Sequence, residues 1–226
     1  MECHHLGHSN INCIRDNIFC SHISNAIQTW KKAVTGMNVK DIFTTPSFLL
    51  MLLIFIGFAI GFTISLINTN YLYYIEQLNY LVIHGYYYEL ITSIFVTSSV
   101  VDFVFNFLSM YIIYLIFGSR AKRNEYGIFL FSGILGNIFT VFFYGPFTLS
   151  SGASGGIFGI LAYYTFYDFI SGGNLGVYGL IFLIAVFGIS DIFFPNVNVY
   201  AHVGGIIGGI IYAAGYYLLK HSRKVN

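Results

Sequence analysis

The stretch FLLMLLIFIGFAIGFTISLI, Phe48 to Ile67, runs for 20 residues without a charge. At 1.5 Å per residue a helix of that length crosses the roughly 30 Å hydrocarbon core of a bilayer. The residues before it, 1–46, are polar and broken by histidines and show no signal-peptide pattern. The run is therefore expected to stay in the mature protein as a true span.

The rest of the chain has the same character. Of its 226 residues 57% are hydrophobic and 8% charged, with a mean hydropathy of +0.74. A soluble domain carries about a quarter charged residues, because its core still needs a solvated shell. A net charge of +1 suggests neither nucleic acid nor an acidic partner. Five further apolar stretches follow, at about 91–117, 126–145, 152–170, 175–194 and 199–219. Backbone in lipid must satisfy its own hydrogen bonds, so each is expected to be helical.

All ten basic residues test the orientation. Arg15, Lys31, Lys32 and Lys40 precede the first span, Arg120, Lys122 and Arg123 separate the second from the third, and Lys220, Arg223 and Lys224 follow the last. Six spans put every one of them on one side, which positive residues mark as cytoplasmic. A five- or seven-span count would misplace the C-terminal cluster. The expected architecture is an all-α polytopic bundle of six transmembrane helices over 48–219, with both termini cytoplasmic and a basic tail at 220–226. The multi-pass setting is a cell membrane; the Tyr, Ile, Phe and Asn content hints at a prokaryotic plasma membrane.

Residues 68–90 are too long and aromatic for a simple linker. They carry Tyr71, Tyr73, Tyr74, Tyr80, Tyr86, Tyr87 and Tyr88, with Glu76 and Glu89. Tyrosine favours the membrane–water interface, so a partly inserted extracytoplasmic loop is expected, against the plainer reading of a surface loop with an aromatic belt.

Polar groups within spans are costly and tend to be functional. Of seven histidines only His202 falls in a span, near the extracytoplasmic start of the sixth. Ala201, Gly205, Gly209 and Ala213 recur every fourth residue there and make a smooth face for close helix contact. Alone, such a histidine is as readily a hydrogen-bond partner for a neighbouring helix. At the same depth, however, Gly152-Ala153-Ser154-Gly155-Gly156 opens the fourth span. A serine and a histidine on two small-residue faces suit a base that takes the proton of a nucleophile.

Gly152-Ala153-Ser154-Gly155, with Ala201-His202 and then Gly205 and Gly209, resembles the rhomboid family of intramembrane serine proteases. The resemblance takes in Ile91 to Phe95 and Phe105-Asn106-Phe107, and so runs from about 48 to 219. It implies that Ser154 is the nucleophile and His202 the general base, a dyad without a third acid. Phe158 would lie against the histidine, and Gly152, Gly155, Gly205 and Gly209 would pack around the site. The substrates implied are transmembrane proteins cut near the extracytoplasmic face, with the lipid bilayer as the other partner and no cofactor for catalysis. Oligomeric state is left open.

By the same resemblance the oxyanion donors are the Ser154 backbone N–H, the Asn106 side chain, and a histidine four residues earlier. That position holds Asp102. Three readings compete: a protonated Asp102 that donates, an Asp102 that faces water or orients a loop, or a weak or inactive rhomboid-like protein that binds membrane clients. Asp102 also reads as the only acid deep in a span, and no basic residue falls in any span, which ranks a transporter third. A second departure lies in the turn after Gly118, where the family often has an acid and this chain has Ala121 and Lys122; only a structural consequence is expected.

The first 22 residues crowd Cys3, His4, His5, His8, Cys13, Cys20 and His22. Thiolate and imidazole are zinc's preferred ligands, so Cys3, His5, Cys13 and Cys20 are candidates for a structural zinc. A Cys-x-x-Cys pair is missing, and a tail with incidental ligands competes. Residues 23–47 read as a linker along the anionic cytoplasmic surface.

Overall fold

The computed structural model describes residues 44–193 and 197–225. Helix α1 (Pro46–Ile67) starts where Thr45 accepts the Phe48 N–H at 3.3 Å, with Pro46 where a helix needs no donor. In chain order there follow a 3-10 turn (Thr69–Tyr74), β1 (Gln77–Leu78), α2 (Asn79–Ile83), α3 (Glu89–Phe95), α4 (Val100–Phe117) and α5 (Asn124–Phe143). Then come β2 (Leu149–Ser150), α6 (Ser154–Ile170), α7 (Gly176–Phe193) and α8 (Val199–Val225).

Among the described residues four helices are long and apolar enough to cross a membrane: α1, α4, α5, and α8 over Val199–Ser222. The apolar part of α7, Gly176–Ile192, is shorter, and α6 has 17 residues. Their surfaces tell why. In α1 only Ser47, Leu50, Met51, Ile54, Gly57 and Gly61 are buried, a stripe at three- and four-residue spacing. Leu52, Leu53, Phe55, Ile56 and Ile60 face outward, as a lipid solvent permits. Every residue of α6 from Gly155 to Thr165 is buried instead. It is the inner helix of a membrane bundle.

The apolar run 91–117 is not one helix, contrary to expectation. It breaks at residues 96–99 between α3 and α4. Ser99 caps α4 by accepting the Asp102 N–H at 3.2 Å, and the Thr97 hydroxyl accepts the Ser99 N–H at 3.2 Å. Short hydroxyl side chains that satisfy local backbone groups compete with helix continuation. The break also lets α1 in: a Cβ at Gly57 would overlap the Phe95 carbonyl, and one at Gly61 would lie 2.6 Å from the Thr97 carbonyl oxygen.

Paired glycines set the position of α8 between α5 and α6. Gly204 and Gly208 meet α5, where a Cβ would lie 2.8 Å from Gly136 Cα and 2.9 Å from Ser132 Cα. Gly205 and Gly209 meet α6, where a Cβ would overlap the carbonyl oxygens of Gly155 and Gly159. Each pair turns one glycine to each neighbour, so both backbones approach closely.

The acid missing from the turn after Gly118 is supplied from further along. Glu125, on the first turn of α5, accepts from Ser47 at 2.7 Å and Ser119 at 3.1 Å, and from Tyr164. Ser47 and Ser119 also bond one another. This buried network joins α1, the turn, α5 and α6.

Segment 68–90 docks on the bundle through buried polar side chains. Residues Gln77 and Leu78 pair antiparallel with Ser150 and Leu149. Asn79 donates to the carbonyls of Thr140 (3.1 Å) and Gly145 (3.0 Å), and Gln77 to that of Asn137 (3.1 Å). Glu89 accepts the Leu78 N–H at 2.9 Å and is 0% exposed. Burial pushes its carboxyl above the ordinary value of 4.5, and the Leu78 N–H offsets this in part. The protonated form is the one the folded loop favours. Its contribution is complete below 4.5 and is lost as pH rises through the raised value. Thermal unfolding in detergent is thus expected to show stability falling with pH over that window, and Glu89→Gln to flatten the dependence; an unchanged profile in Glu89→Gln would place its source elsewhere.

Candidate active site

Helices α4 to α8 and strand β2 all contribute to one cavity of about 190 Å³. Ser154 is the first residue of α6 and His202 stands in the first turn of α8; both line it, with Asp102 and Asn106 from α4 and Phe158 from α6. The turn before Ser154 is shaped by Gly152, whose φ of +118° disfavours an L side chain, and whose N–H donates to the Ser93 carbonyl at 2.8 Å. A Cβ at Gly152 would lie 3.7 Å from Asn106 Nδ2. Asn198 steadies the other side. Its amide donates to Thr140 Oγ1 and Ser150 Oγ, each at 2.8 Å, and its oxygen accepts the Ala201 N–H at 2.9 Å, capping α8.

The His202 ring is 3% exposed. Phe158 lies against it, centroids 4.3 Å apart and planes at 35°, and Phe187 of α7 stands 6.4 Å away. Nδ1 is 3.1 Å from Asp191 Oδ1. Sequence reasoning missed Asp191, which lies in the last turn of α7 with its side chain 10% exposed. Near the end of an apolar run it reads as an interfacial residue, and no helical period links it to His202. No hydrogen bond joins Ser154 to His202 among the described residues. Catalytic hydrogen bonds are often long without substrate and tighten in the reacting complex.

Asp102 is half-buried and close enough to feel charge on His202. Glu76, 4% exposed, is nearby on the docked segment. Burial pushes its carboxyl above 4.5, the Ser151 and Ser98 hydroxyls pull it back, and the Asp102 charge pushes it up again. Gly155, Gly205 and Gly209 form the α6–α8 contact beneath the cavity. The zinc candidates Cys3, His5, Cys13 and Cys20 lie outside the described residues. Among the described residues no group of three or more His, Cys, Asp or Glu is placed to hold a metal.

No curated protein matches the chain. The family model for the Rhomboid domain matches residues 84–219, from just before α3 to within α8. With that match over more than half its length, and its glycine-packed membrane helices closing around a serine and a histidine, the chain belongs to the rhomboid family.

Proposed function

We propose that this chain is an intramembrane serine endopeptidase, with Ser154 as nucleophile and His202 as general base. Members of the family act in the bilayer on transmembrane proteins, and catalysis needs no cofactor. The observation that carries the reading is the opening of both side chains onto one polar cavity between α4, α6 and α8. As Ser154 Oγ attacks the scissile carbonyl carbon, its proton passes to the imidazole, which returns it to the leaving amine. Water then hydrolyses the acyl-enzyme by the same base. Asn106 and the Ser154 backbone N–H are the oxyanion donors in this reading.

The helices of 17 residues or more support a reading of six spans, in which all ten basic residues are cytoplasmic and the cavity lies near the extracytoplasmic face. The Tyr, Ile, Phe and Asn content favours a plasma membrane as the setting. The test is covalent capture of Ser154 by a fluorophosphonate, lost in His202→Ala.

A second reading, a rhomboid-like client-binding protein of weak or no activity, is favoured by Asp102. An ionised carboxylate beside the oxyanion accepts hydrogen bonds only and opposes the developing charge. Asp102→Asn adds a donor of the same size. Since one well-placed oxyanion donor is worth about 10²–10³ in rate, a gain of roughly tenfold in kcat is expected from an imperfectly placed one. An unaltered kcat would show that Asp102 does not face the oxyanion.

A further inference from the structure

The geometry points to Asp191 as a positioning residue that holds the His202 imidazole in its working tautomer and orientation, completing a serine–histidine–aspartate relay from α6, α8 and α7. The inference rests on the serine–histidine reading above. The carboxylate Oδ1 stands 3.1 Å from His202 Nδ1. An ionised carboxylate cannot donate, so the ring nitrogen must carry the proton of that bond. Nε2 is then unprotonated and is the nitrogen left to take the Ser154 proton. Phe158 on one side, at 4.3 Å, and Phe187 on another, at 6.4 Å, restrict the ring's rotation about this bond.

Both partners are withdrawn from water, with side chains 3% and 10% exposed. A carboxylate so placed is costly unless a partner compensates it. Asp191 Oδ2 finds no hydrogen bond among the described residues, which leaves the histidine as the carboxyl's polar partner there. The imidazolium formed when Ser154 gives up its proton is the charge Asp191 best stabilises. Asp102, from α4, is the acid that lines the cavity with His202, and it lies close enough to the ring to interact with it electrostatically.

Full-length protein in detergent micelles is treated with a fluorophosphonate probe, and the labelling rate is measured for the wild type, Asp191→Asn, Asp191→Glu and His202→Ala. Asp191→Asn is expected to slow labelling by roughly 10²–10⁴-fold, since an amide can donate to Nδ1 and put the proton on the wrong nitrogen. Asp191→Glu, which keeps a carboxylate to accept the Nδ1 proton, is expected to recover part of the rate. A wild-type rate in Asp191→Asn, with His202→Ala slow, overturns the inference and leaves the pair of Ser154 and His202 to act alone. The inference is also overturned if Asp191→Asn and Asp191→Glu are equally slow, the mark of a merely structural role. Labelling that His202→Ala does not slow overturns the underlying reading with it.

Discussion

Ser154→Ala is expected to abolish cleavage of a single-pass membrane substrate, with kcat reduced by roughly 10⁶. The hydroxyl is the only atom of this site that forms the covalent bond in the proposed reaction, and alanine leaves water as the sole nucleophile. His202→Ala is expected to lose about as much, because a serine hydroxyl is a poor nucleophile until a base takes its proton. The two losses share one step, so the double variant should be no slower than either single one. Asn106 and the Ser154 backbone N–H stay in place in each variant, so a residual rate of roughly 10³–10⁴ over water is compatible with the reading. Measured by product formation from a reconstituted substrate, undiminished cleavage by Ser154→Ala would end the serine protease reading. Strictly additive losses would show that serine and histidine serve different steps.

Gly205→Val is expected to have the largest effect on the fold. Its Cβ would overlap the Gly155 carbonyl oxygen and lie 3.0 Å from Gly155 Cα. These are backbone atoms of a buried helix and no rotamer change can move them. The α6–α8 interface must open instead, at a cost above about 3 kcal/mol. Because Ser154 adjoins Gly155 on one helix and His202 lies three residues before Gly205 on the other, activity should fall with stability. Thermal unfolding in detergent micelles reads the first and substrate cleavage the second. Gly215→Ala is the control on the same helix. A Cβ there meets nothing within 4 Å, so that variant should match the wild type or gain about 0.5–1 kcal/mol. If Gly205→Val unfolds no earlier than Gly215→Ala, close backbone contact is not what holds α6 against α8.

What the amino-acid order determined by itself was whatever depends on solvent and on local spacing. The 20 uncharged residues from Phe48 to Ile67 demand lipid and a helix. Glycines four apart, such as Gly205 and Gly209, make a groove wherever the helix goes. Serine and histidine at the starts of two helices are legible because each motif is contiguous. The break at residues 96–99 was also written there, as Ser99 three residues before Asp102, but it lay hidden in an apolar run whose length alone argued for one helix.

Only the tertiary structure decided which distant polar groups meet. Glu125 takes up the network around Ser47, Ser119 and Tyr164 from seven residues beyond Gly118, and Asp191 reaches His202 across the connection between two helices. Such pairings depend on helix rotation and crossing, which are set by side chains on neighbouring helices and have no signature in either helix alone. In a medium without water, a polar group must find its partner across the bundle, and the packing selects it.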